Sequence, residues 1–498
     1  MLTYTKIKII FNLKNSKNKF EFFSNSCGGI MDLFRKKTVD MIEADTREGQ
    51  PYSLKKTLNW FDLILLGIGA IMGAGIFIVT GTIAAKDSGP ALIVSFVIAG
   101  LASAFTALSY AEFASSFPIS GSTYSYSYLA LGEFIAWIIG WDLILEYAFV
   151  LPIEAIGWAG YFTTLLHSFG INIPTQILSS SIITGINIPA MFVVLFLTWI
   201  VYLGIRESST FNNVAVIFKL SVVLFFIVVA VWHIKMVNWH PFAPYGWHGI
   251  MVGAATMFFA FVGFDSVSTA SEESKNPAHD MPIGIIGSLV VSTILYIAVV
   301  AILTGIEPYK LLNNPAPVAK SLEYIGMSFG VGLVSLGAIA GITTVLLVML
   351  YGQIRVLFAM SRDGLLPPFF SKIHPKHKTP YWTTWVVGIF AALIAGFLPI
   401  DILAELVSIG TLFAFVLISL SVIVLRYTKP DLQRKFKCPW VPVIPILAIL
   451  FDGYLMISLP IETWMRFIIW FVIGLVIYFT YSRYNSKLAK SNQLTPTR

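Results

Sequence analysis

Leu63 to Gly81 reads L-I-L-L-G-I-G-A-I-M-G-A-G-I-F-I-V-T-G. The stretch is apolar enough to enter a bilayer, yet glycines 67, 69, 73, 75 and 81 interrupt it. Glycine weakens a helix and admits backbone angles that other residues avoid. In lipid an unpaired backbone group costs several kcal/mol, so a broken helix survives only where it lines a cavity or meets a ligand. A break around Gly73-Ala74-Gly75 frees N–H groups at the start of a half-helix, which suit a carboxylate. It also frees carbonyls at the end of the preceding half, which suit an ammonium or a cation. An amino acid carries both charges. The same glycines also suit close helix packing through small residues, and this stretch alone leaves both readings open.

Outward from it, the composition is that of a membrane protein. The chain has 498 residues, 57% hydrophobic and 12% charged, outside the range of ordinary soluble domains. Apolar stretches of spanning length recur twelve times, at about 61–85, 90–116, 132–165, 188–205, 211–234, 250–271, 282–305, 331–360, 381–398, 402–425, 442–459 and 464–482. The third and eighth are long, which implies tilt or extension beyond the membrane. Basic residues set the orientation. The loops assigned to the inside carry Arg206, Lys275, Arg362, Lys372, Lys376, Lys378 and the basic run from Arg426 to Lys437, and both tails are basic. The opposite loops hold only Lys86, Lys235, Lys310, Lys320 and Arg466. Both termini are therefore expected in the cytoplasm of a cell with a multi-pass plasma-membrane protein. The net charge of +7 follows from this asymmetry and is not read as a nucleic-acid signal. Cys27 and Cys438 give neither a disulfide framework nor a metal site, and no cofactor is expected.

Residues 1–30 are rich in Lys, Asn, Phe and Ile without an amphipathic period, and no signal-peptide core follows a charged start. The expectation is an over-extended start, with synthesis beginning at Met31 rather than Met1. The loop Gly121 to Tyr128, polar and aromatic, reads as an interfacial aromatic belt.

Charges inside spans are costly and mark cavities or partners. The third span holds Asp142, Glu146 and Glu154; the first two share a helix face, with Lys219 or Arg355 as candidate partners. The fifth span holds one charge, Lys219, whose insertion costs about 2.5–3.5 kcal/mol. Snorkelling to the surface is one reading; a buried lysine that exchanges a proton is the one favoured here. The sixth span, Gly253 to Ser271, is interrupted at Gly263 and Asp265. Interrupted spans in corresponding positions of two halves point to a transporter site at an inverted-repeat interface. The expected organisation is a cytoplasmic segment 1–59, a first repeat 60–234, a second repeat 250–426, two appended spans within 442–482, and a cytoplasmic tail 483–498. Asp401, Glu405 and Asp452 lie near span ends. No H-E-x-x-H or G-x-S-x-G motif is present, so a membrane enzyme is not expected. An exchanger, a channel or a sensor would be a rival within a similar architecture.

Three motifs in order carry a resemblance over roughly residues 50–485: G-I-G-A-I-M-G-A-G-I-F in span one, F-F-A-F-V-G-F-D-S-V-S-T-A-S-E-E-S-K-N-P in and after span six, and R-V-L-F-A-M-S-R-D-G-L-L-P after span eight. The chain resembles the amino acid–polyamine–organocation superfamily, in particular bacterial members of its cationic amino acid transporter branch. The resemblance implies an all-α membrane protein of 12 transmembrane helices, with the leucine-transporter fold, a 5+5 inverted repeat and discontinuous helices 1 and 6. It places the substrate carboxylate on the N–H groups of Gly73, Ala74 and Gly75, and the ammonium on carbonyls near Ile68 and Phe259, with Gly69, Ala260 and Gly263 as further substrate-binding candidates. Phe259 stands at the aromatic gate and Lys219 at the lysine of the proton-coupled branch. Glu146 and Asp265 are supporting candidates. Met349 falls on the position that lines the side-chain pocket; it fills volume without a charge, which favours small neutral substrates such as alanine over cationic ones. His279 replaces the basic residue often found after N-P. The expectation is a monomeric proton symporter of neutral L-amino acids, with an exchanger or cationic amino acid transporter as the alternative.

Overall fold

The computed structural model describes residues 33, 35–37, 56–117, 122–178, 180, 185–204, 209–377 and 379–494. The expected over-extended start and the cytoplasmic segment before residue 56 lie almost wholly outside these residues, as does Cys27. The regular structure is helical. Among the described residues, eight helical stretches of 22 to 42 residues are long and apolar enough to cross a membrane, and four apolar helices are shorter. The third and eighth expected stretches correspond to the helices Glu133–Ser168 and Ser328–Arg362, of 36 and 35 residues, which run a few residues past the expected bounds.

In chain order the helices are α1 (Trp60–Ile71), α2 (Thr80–Ile83), α3 (Leu92–Ser116), α4 (Ser122–Ala130), α5 (Glu133–Ser168), α6 (Ile188–Tyr202), α7 (Ser209–Ala230), α8 (Gly246–Met257), α9 (Pro277–Ile306), α10 (Pro317–Tyr324), α11 (Ser328–Arg362), α12 (Tyr381–Phe397), α13 (Ile400–Thr428), α14 (Val443–Ser458) and α15 (Ile461–Ile477). Their starts follow local chemistry. Asn59 caps α1 by accepting from the N–H groups of Phe61 and Asp62, while Asp62 returns a bond to the Asn59 N–H, a reciprocal pair that satisfies otherwise orphaned donors. Proline opens α9 and α10, where its missing N–H costs nothing.

Two interruptions organise the interior. The first lies at Met72–Gly73, slightly before the centre expected from the glycines: α1 ends at Ile71, and the chain re-enters helix through a π-turn at Gly75–Val79 that continues into α2. The second follows α8. A 3-10 turn, Phe258–Phe261, gives way to extended Val262 and to Gly263 at φ 119°, a left-handed-side angle that glycine tolerates best. A 3-10 run, Asp265–Glu273, then leads towards α9. Long α5 packs on α11 and α13, and α9 packs on both α1 and α3. The segment before α1 pairs with the end of the second interrupted region: Leu58 bridges Ser274, and the Lys275 N–H donates to Leu58 O at 2.8 Å.

The 121–128 stretch differs from the aromatic belt expected of it. Its described part begins α4 and buries Tyr124, Tyr126 and Tyr128. Tyr124 donates to Asp363 at 2.8 Å, Tyr128 donates to Glu133 at 2.9 Å, and Tyr126 stacks on Phe113. Buried hydroxyls find acceptors, and here those acceptors are carboxylates, one 239 residues from its tyrosine and one five residues on.

Candidate functional site

The two interruptions touch. A Cβ on Gly75 would lie 2.6 Å from the Ala260 Cβ and 2.7 Å from its Cα, and one on Gly263 would lie 2.8 Å from the Ala70 carbonyl. Only glycine lets the two backbones approach this closely. Tyr296 of α9 fastens both: its hydroxyl is 2.8 Å from Ile71 O and 2.8 Å from Ala260 O, and its single proton serves either carbonyl. Ser408 of α13 braces the second interruption by accepting from the Phe259 N–H at 3.1 Å and donating to Thr256 O at 2.9 Å. Tyr161 of α5 braces the first by donating to Phe77 O at 2.7 Å.

Lys219 of α7 is fully buried rather than snorkelling. Its ammonium donates to Met72 O at 2.7 Å, Gly69 O at 3.1 Å and Ile68 O at 3.4 Å. These carbonyls close the C-terminal turn of α1, where the helix dipole favours a cation and the last backbone acceptors run short of helical partners; of the three, Ile68 O also accepts from the Met72 N–H at 3.0 Å. A Cβ on Gly341 of α11 would collide with the Lys219 Cδ and lie 3.1 Å from its Cγ, so the lysine stem is held from behind. The pairing of Lys219 or Arg355 with Asp142 or Glu146, entertained from the sequence, does not occur. The ammonium is taken by the α1 carbonyls, and Arg355 is exposed.

Glu154 takes the opposite side of the first interruption. Both of its oxygens stand 2.9 Å from the Ala74 N–H nitrogen, and a Cβ on Gly73 would lie 2.7 Å from its carboxyl carbon. Of the three N–H groups expected to meet a substrate carboxylate, Ala74 donates to Glu154 and Gly73 donates to Ile71 O at 3.0 Å. The sequence named Glu154 as a costly charge in a span without assigning it a place. Its distance of eighty residues from Ala74 hides the contact.

Of the other expected site residues, Ile68, Gly69, Ala74, Phe259, Ala260 and Gly263 gather at the two interruptions. Met349 is buried in α11. Asp265 is buried and accepts from the Gly263 N–H at 3.2 Å. Glu146 is buried on α5 one turn beyond Asp142. Asp142 has no hydrogen-bond partner on either oxygen among the described residues. Asp452, expected near a span end, is fully buried within α14 and accepts from Thr106 at 2.8 Å. A separate buried cluster, missed in the sequence, joins the end of α3 to the last turn of α13 and the basic loop after it. Glu112 accepts from Arg426 at 2.7 and 2.9 Å and from the Cys438 N–H at 2.8 Å, and it lies 3.0 Å from Arg434. Outside the spans, burial pushes the Cys438 thiol up to about 12, so the residue is unreactive.

Comparison with known proteins agrees with this architecture. The amino acid permease profile matches residues 58–485. The chain is 54% identical to the branched-chain amino acid permease BcaP of Bacillus subtilis (strain 168), over 92% of this chain and 99% of that protein. It is 51% identical to the methylthioribose transporter of the same organism, over 92% and 99%, and 36% identical to the chloroplastic cationic amino acid transporter 9 of Arabidopsis thaliana, over 87% and 89%.

Proposed function

The chain belongs to the amino acid permease family, a family of multi-pass membrane transporters and not of enzymes, and from that premise we propose that it imports small neutral L-amino acids by proton symport. The eight long and four shorter apolar helices group into twelve crossings of a leucine-transporter fold. The first repeat is 60–234, the second 250–426, and two helices are appended within 442–482. Both termini face the cytoplasm of a bacterial cell, and the unit is a monomer. The substrate sits where the interruptions meet, with its carboxylate towards Ala74 and its ammonium towards carbonyls near Ile68 and Phe259. Met349 keeps the side-chain pocket small and uncharged. The relatives named for branched-chain amino acids extend the class from alanine to aliphatic residues.

The observation that carries the coupling is Lys219. Its charged form ties α7 to α1 through three carbonyls, and loss of its proton weakens that tie. Membrane spans one, two, six and seven, counted as in the sequence, then rock against spans three, four, eight and nine around the fixed site. The Ala74–Glu154 contact and the relative named for methylthioribose favour a second reading, in which the substrate has no carboxylate. The deciding experiment is uptake of alanine and leucine into proteoliposomes with and without an inward proton gradient, sodium absent. Gradient-driven accumulation supports symport. Counterflow without net uptake identifies an exchanger, and no uptake of any amino acid removes the substrate assignment.

A further inference from the structure

The first interruption is flanked by two internal charges. Lys219 holds its carbonyl side, and Glu154 holds its N–H side. The side chains of the protein thus stand where the two charged ends of an amino acid are expected. Lys219 acts on the carbonyls from behind, through α7. Glu154, by contrast, occupies the donor that the substrate carboxylate needs.

Glu154 is 2% exposed, and its carboxyl group fills the space over Gly73, where even a Cβ would not fit. The helix that carries it cannot simply withdraw. Three residues on, a Cβ at Gly157 would collide with Ile78 in the π-turn, and Tyr161 is bonded to Phe77 O. The side chain is the part free to move. An arriving carboxylate would meet a second carboxylate on one N–H in a dry setting. Like charges at that separation do not both stay ionised; one takes a proton. The substrate keeps its charge by gaining the Ala74 N–H, and Glu154 loses that bond, so the proton goes to Glu154. The titratable side chains facing it across the interruption are Lys219 from α7 and Tyr296 from α9.

We propose that Glu154 is an internal occupant of the substrate-carboxylate subsite and vacates it by taking up a proton, so that each bound amino acid brings one proton on Glu154. This rests on the amino acid reading above. The balance is one carboxylate plus one proton from the outer solution giving one carboxylic acid, which donates its O–H to a neighbouring acceptor. When the substrate leaves on the inner side, the Ala74 N–H returns to Glu154 and the proton is released there. Glu154 then sets coupling as well as specificity, since a solute lacking a carboxylate has no means of displacing it in this way.

The test is calorimetric binding of leucine and of leucinol, its carboxylate-free alcohol, to the purified full chain over a pH series in two buffers of different protonation enthalpy. Wild type, Glu154→Gln and Glu154→Ala are compared. Wild type is expected to take up close to one proton per leucine, with Kd rising about tenfold per pH unit once Glu154 is ionised. Glu154→Gln, which keeps the shape and removes the charge, is expected to bind leucine with little proton uptake and a flat pH profile. Glu154→Ala, with the occupant gone, is expected to bind leucine more tightly than wild type at high pH. Leucine binding to wild type without proton uptake, or equal uptake in wild type and Glu154→Gln, overturns the inference and leaves the amino acid reading standing. Binding of leucinol with no binding of leucine at any pH overturns both. The wild-type proton count decides the matter even where a variant does not fold.

Discussion

Lys219→Met removes the ammonium and nearly keeps the volume of the side chain. Two carbonyls depend on that ammonium most, Met72 O at 2.7 Å and Gly69 O at 3.1 Å; Ile68 O also accepts from the Met72 N–H at 3.0 Å. A buried acceptor left unpaired costs about 1–3 kcal/mol, so the pair costs roughly 2–6 kcal/mol. Against this, methionine does not carry the desolvation penalty of a buried charge, which is several kcal/mol per ion. Global stability should therefore change little, and the protein should still purify in a folded form. What changes is the tie between α7 and α1. At about 1.4 kcal/mol per decade, losing it shifts the balance between arrangements of α1 by roughly 30-fold to twenty-thousand-fold. A shift of that size traps one arrangement. The variant should bind alanine and exchange it across proteoliposomes, but the inside-to-outside ratio should stop near unity under an inward proton gradient, where the wild type, on the symport proposed above, is expected to concentrate it. Accumulation by Lys219→Met at the wild-type level, driven by the same gradient, would refute the reasoning and detach Lys219 from coupling.

Gly341→Ala should reproduce much of the Lys219→Met phenotype, because its new Cβ displaces the lysine stem; retained accumulation with unchanged steady-state level would contradict this. Gly263→Ala places a side chain against the Ala70 carbonyl at an unfavourable φ of 119°. It should cost about 1–3 kcal/mol and abolish transport while the protein still reaches the membrane, as read by uptake normalised to surface-labelled protein. Glu112→Ala leaves Arg426 and Arg434 facing each other without their carboxylate. Breaking such a buried pair costs about 3–5 kcal/mol, so the melting temperature in detergent should fall clearly, whereas Glu112→Gln should lose less.

How far the sequence reveals this molecule depends on the range of the interaction concerned. The interruptions are local events, written in Gly73, Gly75, Gly263 and Asp265, and those residues within otherwise apolar spans locate them to within a few residues. Lys219 is legible because a single cation in a run of aliphatic residues is costly, and its depth is near the limit of what snorkelling to the surface can relieve. Its partners are not legible, because backbone carbonyls carry no sequence signature. The same limit hides Glu154. A glutamate in a span announces a cost, but whether that cost is met by a lysine, a serine or a peptide N–H depends on how α5 lies across the first interruption. The burial of the α4 tyrosines is only partly hidden by distance: Asp363 accepts from Tyr124 across 239 residues, whereas Glu133, five residues from Tyr128, is close at hand in the sequence, and together they turn an apparently interfacial motif into a buried one. The chemistry that distinguishes this chain therefore sits where one long-range contact meets one local irregularity. A glycine-rich break supplies free N–H groups to any member of such a fold. The residue eighty positions away that reaches them determines what else can bind there, and at what proton cost.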